Sequence, residues 1–190
     1  MPVLIPFDVS DEQLSFFIDN IDMMLLPGGG TPLSQSAHHN NPKDKVPTPY
    51  QVVSSKIIKM IKEKNVKGKY YPLMATCLGL ENLFIAENDN NHEILNCNLD
   101  DLHKNHTIAL NEEGYKNSKF WSKTYTRAEV DNVFNREIVY YTHNCGFTPE
   151  DFNKHKTLSK DYHVIGTSKN SKGVEFLASV EHKKYPIIGN

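Results

Sequence analysis

Tyr70-Tyr71-Pro72-Leu73-Met74-Ala75-Thr76-Cys77-Leu78-Gly79-Leu80-Glu81 decides the fold. An apolar run ends on a single cysteine, and a helical pattern from Leu78 to Ala86 begins at once. In an open α/β sheet, a sharp strand-to-helix turn lifts such a side chain at the carboxyl end of the strand, where these folds place their chemistry. The helix start behind Cys77 favours the thiolate, which is the nucleophilic form. Gly79 leaves room for close approach of backbone or substrate. The competing interpretation is a buried structural cysteine after a core strand, and the pattern alone does not separate the two.

Outward from this turn, the same logic recurs upstream. Asp22 to Leu26 is an apolar run closed by Pro27-Gly28-Gly29-Gly30. It reads as a strand buried on both faces, the habit of parallel sheets. A cysteine hydrolase needs donors for the oxyanion of its tetrahedral intermediate. The N–H of Leu78 is one candidate, and a glycine N–H from the turn at 28–30 is the second. Ser10 and Gln13 form a capping box before a helix whose apolar face is Leu14, Phe17, Ile18 and Ile21. Thr48 is an N-cap with Pro49 at the first helical position, followed by an apolar stripe of Tyr50, Val53, Ile57, Met60 and Ile61. Met1 to Phe7 is expected to end a strand, and Thr31 to Pro47 to be a long polar loop.

Downstream of residue 90 the pattern turns β-like. Strands are expected at Glu93 to Cys97, His106 to Leu110, Ile138 to Thr142, Tyr162 to Thr167, Val174 to Glu181 and Tyr185 to Gly189. Thr126 and Glu129 cap a helix that runs to about Glu137. The order is βαβαβα and then a strand-rich half. That predicts one α/β domain over residues 1–190: three layers, α/β/α, with a mixed, mainly parallel central sheet and antiparallel strands near the C-terminus.

Bulk properties narrow the partners. The 190 residues are 38% hydrophobic and 23% charged, with a formal net charge of −2, so no bulk field draws nucleic acid. No apolar run approaches the roughly 18 residues of a membrane-crossing helix, so no membrane insertion is expected. Three cysteines argue against a disulfide scaffold and for small buried thiols. His103 and His106, beside Asp100 and Asp101, read as a solvated loop rather than a zinc site, and no metal is expected.

Taken together these residues resemble the γ-glutamyl hydrolases, a branch of the class I glutamine amidotransferase-like superfamily with a flavodoxin-like core. The family pattern is Leu-Leu-Pro-Gly-Gly, later Gly-Thr-Cys-Leu-Gly-Phe-Glu, and finally Tyr-Pro-x-x-Gly-x-Gln-Trp-His-Pro-Glu. This chain has Leu25-Leu26-Pro27-Gly28-Gly29, then Ala75-Thr76-Cys77-Leu78-Gly79-Leu80-Glu81, then Tyr185-Pro186-Ile187-Ile188-Gly189-Asn190. The opening Pro6-Phe7-Asp8-Val9-Ser10-Asp11-Glu12 looks like the family's approach to its second strand. The resemblance implies Cys77 as nucleophile, with the Leu78 and Gly29 N–H groups on the oxyanion. It also implies Gly28, Glu81 and His143 around the substrate. The implied reaction is hydrolysis of γ-glutamyl bonds, typically in folyl poly-γ-glutamates, through a γ-glutamyl thioester and without metal or organic cofactor.

Some positions depart from the family pattern. Ala75 stands for its glycine and Leu80 for its phenylalanine. The family's base histidine would come three residues after Asn190, its supporting Glu two later, and its first strand would precede Met1. The chain is therefore read as a fragment, a truncated product or a degenerate relative. The expected partner is a small-molecule γ-glutamyl substrate, with a homodimer as a further candidate. Relatives are lysosomal, vacuolar or extracellular; no signal peptide is read here, and the compartment stays open. Two rivals remain: a catalytically inactive binding or assembly subunit, and a related hydrolase of another amide.

Overall fold

The computed structural model describes residues 1–33, 46–97, 99, 101–143 and 145–190, with the side chains of 101–104 and 143 outside the description. Helix α1 (Asp11–Asn20) starts where Ser10 and Gln13 close both halves of the capping box, and it buries Leu14 and Ile18. Strand β1 is Met24–Leu26. Helix α2 (Pro49–Val66) starts at the N-cap Thr48, whose hydroxyl accepts from the Gln51 N–H. Strand β2 (Leu73–Ala75) then leads into helix α3 (Leu78–Glu87). Next come β3 (Asp101–His106), β4 (Ala109–Leu110), α4 (Glu112–Asn117), α5 (Trp121–Thr124), α6 (Arg127–Phe134) and β5 (Val139–His143). The chain continues through α7 (Pro149–Lys154), α8 (Lys156–Asp161), β6 (Tyr162–Lys169), β7 (Glu175–His182) and β8 (Ile187–Gly189).

The main sheet runs β1-β2-β8-β7-β6-β4, and β3 pairs with β5 apart from it. β1, β2 and β8 are mutually parallel, in the register Leu26–Ala75–Gly189. From β8 onward every pairing is antiparallel. The mixed α/β sheet expected from the sequence is present, although its balance leans antiparallel because β7 returns beside β8 and the β6–β7 hairpin is the longest ladder. Asn170 shapes that hairpin's turn by accepting from the N–H groups of Lys172 and Val174. Two register shifts, near Gly166, compensate each other. They let Leu177 and Val180, three residues apart, join one core.

Apolar packing forms two cores. The larger joins α1, α2, α3, α7 and α8 to the strands through residues such as Ile61, Leu73, Leu83, Phe84 and Tyr162. The smaller gathers Val130, Phe134, Tyr141, Ile165, Phe176 and Ala178, with Trp121 packed against it. Trp121 therefore fills core, while Phe120 and Tyr125 keep 36% and 40% of their surface.

Several expectations change. β1 is not buried on both faces: Met24 and Leu26 point into the larger core, but Leu25 is 55% exposed, and Met74 beside it is 40% exposed. Among the described residues the outer helices cover the second face only over the antiparallel strands. Met1 to Phe7 forms no strand, and Leu4 lies almost fully in solvent. Glu93 to Cys97 is not a strand either. The Asn91 side chain accepts from the Glu93 N–H and starts a 3-10 turn, His92–Ile94. His106 to Leu110 divides between β3 and β4, because the Ile108 N–H turns to the Phe134 carbonyl. The segment around His103 and His106 is strand rather than loop. The loop expected at Thr31 to Pro47 falls largely outside the described residues.

The cysteine expectation also changes. Cys97 and Cys145 are joined in a disulfide 48 residues apart in sequence. Beside it, Asn96 and Gly146 exchange both backbone hydrogen bonds. In the chain-entropy model a crosslink over such a loop contributes about 4 kcal/mol. An odd count concealed one disulfide pair, with Cys77 outside it. Among the described residues no helix is long and apolar enough to cross a membrane.

Candidate active site

Three strand ends meet at Cys77. The Thr76 N–H donates to the Leu26 carbonyl at the end of β1. On the other side, the Asn190 N–H donates to the Ala75 carbonyl, and the Cys77 N–H donates to the Asn190 carbonyl at 2.6 Å. The Thr76 hydroxyl also donates to Asn190 Oδ1, at 3.0 Å. The residue after β2 is thus held from both neighbouring strands.

So restrained, Cys77 adopts φ 54° and ψ −115°. A non-glycine residue there is strained by about 1–3 kcal/mol and persists only when its surroundings impose it. The helix begins immediately: the Leu80 and Glu81 N–H groups donate to the Cys77 carbonyl. Gly79 is demanded by packing. A Cβ at this position would lie 2.2 Å from the Leu26 carbonyl oxygen. The first turn of α3 therefore sits directly on the end of β1. Gly28 is just as close to Cys77, for a Cβ there would lie 3.0 Å from Cys77 Cβ and 3.5 Å from Sγ.

Electrostatics at the thiol are mixed. Burial pushes the Cys77 thiol above its ordinary value, the Leu78 N–H pulls it down by hydrogen bonding, nearby Glu81 pushes it up, and the Gly29 N–H pulls it down. The two amides proposed from sequence as oxyanion donors are the ones directed at the sulfur. Part of the Glu81 residue still reaches the surface, yet its carboxyl is well desolvated, and burial raises its pKa to about 8. Behind it, Asn82 is fully buried. Its two amide atoms and Tyr50 Oη have no hydrogen-bond partner among the described residues. The Tyr50 hydroxyl leans toward Ser54 and Asn82 without reaching hydrogen-bond geometry, and burial raises its pKa.

The fold therefore brings together Cys77, Leu78, Gly28, Gly29 and Glu81. His143 ends β5, paired in backbone register with Asp101; its side chain lies outside the described residues. His182 is not an alternative base. It lies down β7, away from the Val180–Gly189 pairing that adjoins the thiol turn. Its Nδ1 accepts from the Lys184 and Tyr185 N–H groups, and burial lowers its pKa to about 4. Sequence reasoning missed Asn190, whose carbonyl completes the turn, and treated Tyr50 only as part of an apolar stripe. A tyrosine and an asparagine on facing helices near a candidate nucleophile are the signal that was available.

Comparison with known proteins identifies the family of the chain. The family profile of Peptidase C26 matches residues 1–189. γ-Glutamyl hydrolase B of Dictyostelium discoideum is 26% identical over 181 residues, covering 95% of this chain and 48% of that protein. The γ-glutamyl hydrolase of Rattus norvegicus is 26% identical, covering 97% of this chain and 53% of the relative. That of Mus musculus is 26% identical, covering 95% and 51%. The chain spans about half the length of these relatives.

Proposed function

Because the chain belongs to the Peptidase C26 family, we propose that its site hydrolyses γ-glutamyl amide bonds, with Cys77 as the nucleophile. The observation that carries the reading is the strained Cys77 turn with the Leu78 and Gly29 N–H groups aimed at its sulfur. The thiolate attacks the γ-carbonyl carbon, and the carbonyl π electrons move onto oxygen. The two amides hold that oxyanion. Collapse expels the amine, which leaves with a proton, and gives a γ-glutamyl thioester. Water then attacks the thioester, releasing the γ-carboxylate and restoring the thiol. Gly28 gives the substrate passage beside Sγ, while Glu81 and His143 border the glutamyl group. Folyl poly-γ-glutamates are the substrate class, and a homodimer is part of the same reading.

The thiol needs a base within about 3.2 Å, or one water away. The resemblance puts a histidine three residues beyond Asn190. The Asn190 carbonyl already touches the Cys77 N–H, so a chain continuing from there would emerge beside the sulfur. Three extended residues reach about 10 Å, enough to place a side chain on the thiol. The second reading, an inactive binding subunit, draws support from the raised thiol pKa.

The test is turnover of a folyl poly-γ-glutamate by the protein and by Cys77→Ala. Turnover that disappears in the variant is expected. A folded protein with no turnover, including one extended past Asn190 through a His-Pro-Glu segment, overturns the hydrolase reading in favour of the inactive subunit. Turnover of other amides but not of γ-glutamyl bonds assigns the thiol to a different hydrolase.

A further inference from the structure

Strand β7 ends on His182, and the chain turns back through Lys183, Lys184 and Tyr185 toward β8. His182 is buried. Its ring stands edge-on to Tyr162 at 4.9 Å and lies 4.7 Å from Tyr185. Its Nδ1 accepts from two backbone donors of the turn, the N–H groups of Lys184 at 3.0 Å and Tyr185 at 3.1 Å. The turn is therefore built on a histidine lone pair.

That arrangement suits one protonation state. With Nδ1 accepting, the single ring proton sits on Nε2. Nε2 is buried with no hydrogen-bond partner among the described residues. A second proton would enter at Nδ1 and face two N–H groups. The imidazolium would then carry two N–H donors with an acceptor for neither, a buried charge without compensation. The surrounding charges do not offset this. Lys62 from α2, Lys119 ahead of α5 and Lys184 in the turn oppose a positive ring, and Asp161 at the end of α8 favours it. Glu87, which faces Tyr162, is paired with Lys62.

A chain of hydrogen bonds runs from this turn to the thiol. The Lys183 N–H is anchored on the Asp161 carbonyl. The next two residues are the ones held by His182. Directly after them the Pro186 carbonyl accepts from the Leu73 N–H at the start of β2. Strand β8 follows, with three register pairs to β2 and two to β7. Past its far end, the Asn190 carbonyl accepts from the Cys77 N–H. A strand so short depends on how it is entered as well as on its ladders.

We propose that His182 is a pH-sensitive positioning residue: its neutral ring holds the turn into β8, and proton uptake opens that turn and slackens the strand that bends Cys77. Burial lowers the His182 pKa to about 4, against 6.5 for an ordinary histidine. The open turn thus binds the proton more tightly than the closed one. Closure is favoured in full above 6.5 and loses up to about tenfold per pH unit as pH falls from there toward 4.

The experiment is amide hydrogen exchange of the ¹⁵N-labelled protein between pH 6.5 and 4.5, corrected for the intrinsic exchange rate at each pH. Protection at Lys184 and Tyr185 should fall by about tenfold per pH unit, with the ring signal of His182 moving over the same range. A smaller fall in step is expected at Leu73, Asn190 and Cys77. His182→Asn keeps an acceptor where Nδ1 lies and takes up no proton, so its amides should stay protected. His182→Phe keeps a ring without the acceptor, and its turn should be open at pH 6.5 already. An equal fall in His182→Asn would overturn the proposal, because another group would then be titrating. Constant protection at Lys184 and Tyr185 in the natural protein would overturn it too, as would a loss there that leaves Cys77 unmoved. The readout is protection rather than turnover, so this proposal and the hydrolase reading fail separately.

Discussion

The two ends of α3 each carry a glutamate taken largely out of water, and they differ in what answers the charge. At the C-terminal end, burial raises the Glu87 pKa while hydrogen bonding and attraction from Lys62 pull it down. At the N-terminal end, Glu81 has no ion pair among the described residues, and burial alone moves its pKa to about 8. The same residue type in one helix is thus held as half of an ion pair at one end and as a neutral acid at the other. A carboxylate at Glu81 would push the thiol still higher, so leaving it protonated near neutrality is compatible with a thiolate one turn away.

The largest expected effect comes from crowding the N-terminal end. In Gly79→Ala, the helix-propensity gain of up to about 1 kcal/mol is overwhelmed by the clash with the Leu26 carbonyl. Loss of about 3 kcal/mol in urea unfolding is expected. A neutral or stabilising result would show that the helix does not rest on β1.

Removing the counter-charged carboxylate at the other end comes next. Glu87→Ala should cost about 2 kcal/mol, less than the 3–5 of a fully buried pair. The orphaned Lys62 is 32% exposed and can turn to water. Equilibrium unfolding of Glu87→Ala beside Lys62→Met checks this, and a double variant no worse than either single one would confirm that they act as a pair.

The smallest change at neutral pH is expected for Glu81→Gln, where an amide replaces an acid that is already mostly protonated. Its effect lies in pH dependence. Glu81 binds its proton more tightly folded than unfolded, so its contribution is complete below the ordinary value of 4.5 and is lost as pH rises through about 8. Urea unfolding between pH 5 and 9 should show that decline in the natural protein and a flatter profile in Glu81→Gln. Cys77 alkylation by iodoacetamide should also reach its midpoint at lower pH in the variant. An unchanged slope and midpoint would mean that Glu81 titrates as an ordinary surface acid.

Much of this contrast was legible in the residues. A strand, a cysteine and a helix in direct succession can form only a few turns, and the glycines at 28–30 and 79 mark where backbone must approach backbone. The capping boxes at Ser10 and Thr126 were equally readable because they are local. Long-range facts were not. The Cys97–Cys145 bond depends on β5 returning beside the turn at Asn96. The exposure of Leu25 depends on which helices cover which face, and a three-residue apolar strand looks the same whether one face is covered or two. The unpartnered Glu87 oxygen follows from side-chain aim, which sequence spacing does not record.

Strand β8 has a consequence for the order of assembly. It is the seam between β1–β2 on one side and β7–β6 on the other, yet it is supplied by residues 187–189, far along the chain. Until they insert, the parallel pair and the long hairpin are two separate pieces, and joining them closes a large loop, a slow kind of event in folding. The Cys77 N–H finds the Asn190 carbonyl only at that moment. The thiol turn is therefore not complete until β8 is in place, and it is the assembled sheet rather than the local sequence alone that holds the cysteine in its bent backbone.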